Sequence, residues 1–259
     1  MYESRTSVTM SINHTGRVSL ITFFRTSKES NGSRRSSEAL QGQGYPIGRY
    51  QARSLMRKLN LVAKPTKLLR SRQIVSTTTL SRRIYWIGNS RLIALILFGL
   101  QILPICGPIR AGFTLLSFWT CSPAVVGWST DRCMTSELVK KALNMAVMYR
   151  QPPKGLLHQS DRGSQYASHA YQKELIKHGM VCSMSRKGNC WDNAVNERFF
   201  RSLKTEQTNH YRYVSREAAR RDVVDYILMF YNSQRLHSTL GYRSPADFEA
   251  EYLQLQKVA

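Results

Sequence analysis

Residues 155–185 read GLLHQSDRGSQYASHAYQKELIKHGMVCSMS. The apolar start of this stretch predicts a short strand ending at Asp161, and Gly163 permits a sharp turn directly after it. Ala167–His178 has helical spacing of its apolar residues, and Val181–Met184 is strand-like again. Upstream, VVGWS (125–129) reads as a strand, and Thr135–Tyr149 as an amphipathic helix with Leu138, Ala142, Met145 and Ala146 on one side. Downstream, SRKGNCWDN (185–193) is a polar loop whose Asp192 or Asn193 suits the cap of a helix over residues 194–208. Strands and helices alternate, so the class is α/β. Two more helices are predicted, one over Ser215–Asn232 with Ala219, Val223, Ile227 and Phe230 inward, and one started by Ser244 and Pro245.

The rest of the 259-residue chain departs from this regularity. Lys plus Arg is 38 against 16 for Asp plus Glu, a formal net charge of +22. That balance makes nucleic acid or an acidic membrane surface the default partner and argues against an ordinary small-molecule enzyme. With 42% hydrophobic residues the chain can build a core. Five cysteines (Cys106, Cys121, Cys133, Cys182, Cys190) with no CxxC pair argue against a zinc ribbon or disulfide scaffold and for a reducing compartment. Residues 1–30, rich in Ser, Thr and Arg and without a period, read as a poorly structured lead with no signal peptide.

Residues 31–63 read differently. A short helix near Arg34–Gln41, a turn with Gly42 and Gly44, and a second helix near Gly48–Leu59 form a helix-turn-helix pattern. Ile47, Leu55, Met56 and Leu59 give the apolar side, and Arg49, Arg53 and Arg57 share a face. Such a face suits phosphates; it also suits a basic helix that is merely solvated.

Two acids carry the candidate chemistry. Asp161 ends a predicted strand and Glu197 lies on a predicted helix, and two carboxylates brought together by a fold can hold a divalent cation. On the Glu197 helix, Val195, Phe199 and Leu203 form one arc and Glu197, Arg201 and Lys204 the opposite one. The second arc fits either a phosphodiester track or a plain salt-bridge stripe. Asp131 reads as an ordinary strand-end acid, and His158 as a packing or hydrogen-bonding group at a strand end.

Three motifs decide between these readings. HQSDRGSQYAS (158–168), SMSRKGNCWDNAVNERFFRSLKTE (183–206) and YNSQRLHSTLGYRSPADFE (231–249) together resemble the integrase-core transposases of bacterial insertion sequences, of the type made from a second reading frame. The resemblance spans roughly residues 33–63 and 125–252. It implies a ribonuclease-H-like fold preceded by a helix-turn-helix, with a catalytic Asp, Asp, Glu triad. Asp161 matches the second acid and Glu197 the third, both as metal ligands, while Arg201 and Lys204 match basic positions that contact DNA. The resemblance further implies Mg²⁺ or Mn²⁺ as cofactor, transposon ends and target DNA as partners, and a cytoplasmic, nucleoid-associated protein. Self-association is compatible with it, and no membrane partner is expected.

The first acid of the triad is missing. No Asp or Glu occurs between Glu38 and Asp131, and the region holds the apolar run LIALILFGLQILPICGPI (92–109), which by length alone resembles a membrane segment. The genetic code offers an account. Read one frame over, the codon junction of Trp119 and Thr120 forces Asp, that of Phe118 and Trp119 forces Leu, and that of Trp86 and Ile87 forces Asp. The junction of Gln101 and Ile102 permits Asp or Asn, in a stretch that can spell the family's first-acid motif. Residues 64–124 are thus expected to be translated out of frame, leaving 125–259 as a core remnant. The expectation that follows is an incomplete fold with its first strands disrupted and its polynucleotidyl transfer lost. The alternatives are a DNA-binding repressor without catalysis, and a basic membrane-associated protein using Leu92–Ile109.

Overall fold

In a computed structural model of the chain, residues 14–64, 95–103, 113–120, 123–133, 135–160, 163–184 and 194–258 are described. The chain divides into two compact units, Met1–Pro65 and Thr66–Ala259.

Within the first unit three helices pack on one another: α1 (His14–Thr26), α2 (Ser33–Gly42) and α3 (Arg49–Lys58). The last two fall where the sequence puts them. α1 corrects the reading of a poorly structured lead for His14–Thr26, while residues 1–13 of that lead lie outside the described residues. Gly16, Leu20 and Phe24 recur every fourth residue and are buried, a stripe hidden in sequence by the Ser, Thr and Arg around it. Leu20 and Phe24 share a core with Leu40, Ile47, Ala52, Leu55 and Met56. The turn before α3 is held from α2, where Ser37 Oγ and Gln41 Nε2 both donate to the Ile47 carbonyl at 2.7 and 2.9 Å. Gly44 takes φ +85°, a conformation that side chains other than glycine's rarely adopt.

The second unit is built on a five-stranded sheet of order β3-β2-β1-β4-β5, from β1 (Leu95–Leu103), β2 (Phe113–Thr120), β3 (Val125–Asp131), β4 (Leu157–Ser160) and β5 (Val181–Met184). β1, β2 and β3 form an antiparallel meander, while β1 and β4, and β4 and β5, pair in parallel. A parallel step needs a crossover, and α4 (Ser136–Arg150) supplies it between β3 and β4. Successive strand residues point to opposite faces: Val125 enters a core with Phe199, Leu203 and Tyr226, and Val126 enters another with Leu138, Ala142 and Leu175. Helices therefore cover both faces, the α/β arrangement expected. Gly127 lets α4 approach closely, since a Cβ there would sit 2.5 Å from the Ala142 carbonyl oxygen.

β1 and β2 overturn the expectation that the first strands are disrupted. The run called anomalous in sequence contributes the strand between β2 and β4. Strands covered on both faces read as near-continuous apolar runs, so the absence of alternation does not argue against a strand here. The same strand removes the membrane reading of Leu92–Ile109 for Leu95–Leu103, and among the described residues no helix is long and apolar enough to cross a membrane.

The helix expected over Ala167–His178 is α6 (His169–Lys177), and a short helix not expected, α5 (Ser164–Ala167), precedes it; Ser168 separates them, its hydroxyl accepting the Tyr171 N–H at 3.3 Å. α7 (Ala194–Glu206) ends two residues earlier than expected and is followed by a 3₁₀ turn, Thr208–His210. The helix over Ser215–Asn232 is α8 (Arg216–Asp225) followed by a π-helical turn, Tyr226–Tyr231. Wider winding there turns Tyr226, Ile227, Phe230 and Tyr231 all inward. α9 (Pro245–Val258) starts at Ser244, which accepts the Asp247 N–H at 3.1 Å.

Candidate active site

β4 ends at Ser160, and Asp161, the next residue, lies outside the described residues, as do Asp192 and Asn193. The neighbouring strand is β1, with Ile96 opposite Gln159. β1 reads LILFGLQIL and contributes no carboxylate beside β4. Asp131 is no substitute. It ends β3, where its carboxylate accepts the Arg132 N–H at 2.6 Å, and two strands stand between β3 and β4. At strand spacing that is a separation of roughly 14 Å. The expectation that Asp131 is an ordinary strand-end acid matches this position.

Glu197 is the fourth residue of α7, and its side chain lies outside what is described. The helix itself is oriented as the sequence arcs require. Phe199, Phe200, Ser202, Leu203 and Glu206 are buried, and Arg201 is exposed on the opposite arc, where position 197 also falls. Lys204 lies half-buried on that arc, and this burial holds its ammonium below the usual lysine range.

What fixes α7 was not foreseen from the sequence. Arg235 is buried and grips Glu206 in two directions, Nη2 to Oε1 at 2.8 Å and Nε to Oε2 at 2.9 Å. Its Nη2 also donates to Ser202 Oγ at 2.9 Å, and the Tyr226 hydroxyl donates to Glu206 Oε2 at 2.7 Å. The guanidinium lies 5.4 Å from the centre of the Tyr231 ring. Burial alone would lower the pKa of Arg235; the Glu206 carboxylate outweighs it and holds the value above the usual one.

Three residues before Arg235, Asn232 clasps the sheet. Its Oδ1 accepts the Val125 N–H at 2.9 Å and its Nδ2 donates to the Val125 carbonyl at 2.8 Å. The stretch YNSQRLH (231–237) thus ties the inner face of α7 to the edge strand β3. Asn232 at the end of the predicted Ser215–Asn232 helix and Arg235 just beyond it were the polar signals available for this.

His158 is fully buried on β4 and shares a 2.8 Å hydrogen bond with the Tyr171 hydroxyl, as its hydrogen-bonding reading expected. Burial lowers its pKa to about 4, so it is neutral at pH 7. In the first unit, Arg49, Arg53 and Arg57 are all exposed on α3.

Among the described residues no group of three or more His, Cys, Asp or Glu could hold a metal ion. Asp161 and Glu197 alone, with no acid on β1, fall short of the ligands that two bridged ions need. The residues present do not fit that centre.

A parallel β1-β4-β5 half joined to an antiparallel β1-β2-β3 half, with helices on both faces, is the ribonuclease-H-like integrase core. Integrase core domain families match residues 118–190 and 178–245. The fold resembles a chain in the intasome of simian T-cell lymphotropic virus in complex with the PP2A regulatory subunit B56 gamma, with a TM-score of 0.50 at 14% identity, covering 90% of this chain and 73% of that one. Transposase InsF for insertion sequence IS3A of Escherichia coli (strain K12) is 35% identical over 250 residues, covering 93% of this chain and 83% of that protein. The 31 kDa protein of insertion element IS600 of Shigella sonnei is 47% identical over 137 residues; this chain spans half of its length. The transposase for element IS904 of Lactococcus lactis is 42% identical over 128 residues, again about half of that protein. The chain belongs to the integrase-core transposases of bacterial insertion sequences.

Proposed function

We propose that the chain acts on DNA as a transposase derivative that binds the ends of its insertion element and has lost the chemistry of cutting and joining them. The family supports the DNA partner and the original reaction, metal-dependent cleavage and strand transfer by Mg²⁺ or Mn²⁺. The loss rests on one observation: β1, the strand next to β4, carries no acid. Asp161 and Glu197 remain as the second and third acids of the triad, with Arg201 and Lys204 as DNA contacts beside Glu197. The out-of-frame reading of residues 64–124 accounts for the missing first acid and is compatible with the strands Leu95–Leu103 and Phe113–Thr120.

Binding without catalysis is the activity this leaves. The net charge of +22 and the exposed Arg49, Arg53 and Arg57 favour it. Footprinting of the full chain on the insertion element that encodes it tests the reading. Protection confined to the two element ends is expected; uniform coverage along the duplex, or none, would contradict it.

A further inference from the structure

Among the described residues of its own unit, α3 presents an outward face that is exposed. Ala52, Leu55 and Met56 bury one side, and at 100° per residue the opposite side is centred on Tyr50, with Ser54 and Arg57 one and two turns further along and Arg53 beside them. Tyr50 is 81% exposed. Among the described residues the side chains of Arg49, Tyr50, Arg53 and Arg57 make no hydrogen bond or ion pair, whereas Gln51 is occupied, accepting the Gly48 N–H at 3.0 Å. Residues 14–64 hold ten Lys or Arg against two Glu, and among the described residues neither Glu pairs with these arginines.

We propose that Tyr50 reads a base edge in the major groove of duplex DNA, its ring against a thymine methyl group, while Arg49, Arg53 and Arg57 hold the flanking phosphates. The inference rests on the DNA-binding reading above and goes beyond it by assigning sequence choice to one residue. Arginines at successive turns supply affinity that any duplex satisfies. An aromatic ring among them contributes nothing to phosphate neutralisation, but it matches the one apolar group the major groove displays. Its place in the first turn is where a helix entering the groove meets bases.

The test uses the full chain and a random duplex pool. Selection gives a preferred sequence, and each thymine in it is then replaced in turn by deoxyuridine, which lacks only the methyl group. At one thymine the replacement is expected to weaken binding about fivefold, on the order of one buried methyl group. Tyr50→Ala should abolish that difference and lower the ratio of preferred to random binding, with an unchanged salt slope; Tyr50→Phe should keep both. A Tyr50→Ala variant that retains the preference overturns the assignment, as does a parent chain that selects no sequence. The underlying reading fails separately, if Arg49, Arg53 and Arg57 together replaced by Ala leave binding to random duplex and its salt dependence intact.

Discussion

The Arg235 guanidinium sits on the Glu206 carboxylate through two parallel bonds of 2.8 and 2.9 Å, both groups buried. Glu206 ends the helix on which Glu197 begins, so this pair fixes how α7 is rotated and how far it has slid. Phe199, Phe200 and Leu203 would tolerate several rotations against an apolar core; a bidentate pair tolerates one. Removing one partner leaves a buried charge alone. Arg235→Ala should therefore cost about 3–5 kcal/mol, whereas Arg235→Met with Glu206→Leu should cost far less. Urea unfolding of the three proteins measures both, and a single variant within about 1 kcal/mol of the parent would contradict the role of the pair.

His158 makes stability depend on pH. Its pKa is lowered from 6.5 to about 4 in the folded chain, so between these values the unfolded chain binds the extra proton. Stability should be unaffected by this group above pH 6.5 and should fall as pH drops from 6.5 toward 4, by about 3 kcal/mol over the window. Unfolding of the parent and of His158→Gln at pH 7 and pH 5 isolates the effect. The fall between the two values should be smaller in the variant, and equal falls would sink the assignment.

Gly127 is the close approach between sheet and helix. A Cβ there would lie 2.5 Å from the Ala142 carbonyl oxygen and 2.7 Å from Ala146 Cβ, and both belong to the body of α4. Gly127→Ala should destabilise by about 1–3 kcal/mol through overpacking. An unchanged unfolding midpoint would mean that α4 is not seated as described.

DNA binding should respond to salt. Each phosphate neutralised contributes about −0.9 to the slope of log affinity against log salt concentration. Replacing Arg49, Arg53 and Arg57 by Ala should flatten the slope by up to roughly three such contributions. A slope near zero in the parent chain would refute the electrostatic reading.

The sequence made the second half of the sheet legible because its signals are local. VVGWS, LHQS and VCSM are bounded by polar turns, and the strands occur where they were expected at Val125, Leu157 and Val181. α1 was not legible, because Gly16, Leu20 and Phe24 make a stripe only when a glycine is counted as a packing residue. β1 and β2 were misjudged for a different reason. A segment with neither strand alternation nor acids argues against strands by local pattern, but backbone pairing needs no carboxylate, and an apolar run satisfies the sheet. The assignment of Asp161 and Glu197 as site acids rests on motif wording, since spacing alone favours a salt-bridge stripe at Glu197. Asn232 and Arg235 were not legible, because their partners, Val125 and Glu206, lie 107 and 29 residues away.

If Asp161 and Glu197 act as proposed, without an acid on β1, metal binding should be weak. Titration calorimetry with Mn²⁺ is expected to give at most one weak site that Asp161→Ala removes. Tight binding of two ions would mean that a ligand outside β1 completes the centre.

The most direct measurement is a strand-transfer assay on element-end DNA in Mg²⁺ or Mn²⁺, run on the chain as it stands and on one whose reading frame is restored between codons 63 and 125. The chain as it stands should join no ends. The restored chain, with an Asp returned to β1, should join them, and Glu197→Gln should abolish that activity. Joining by the unrestored chain would contradict both the missing acid and the shifted frame.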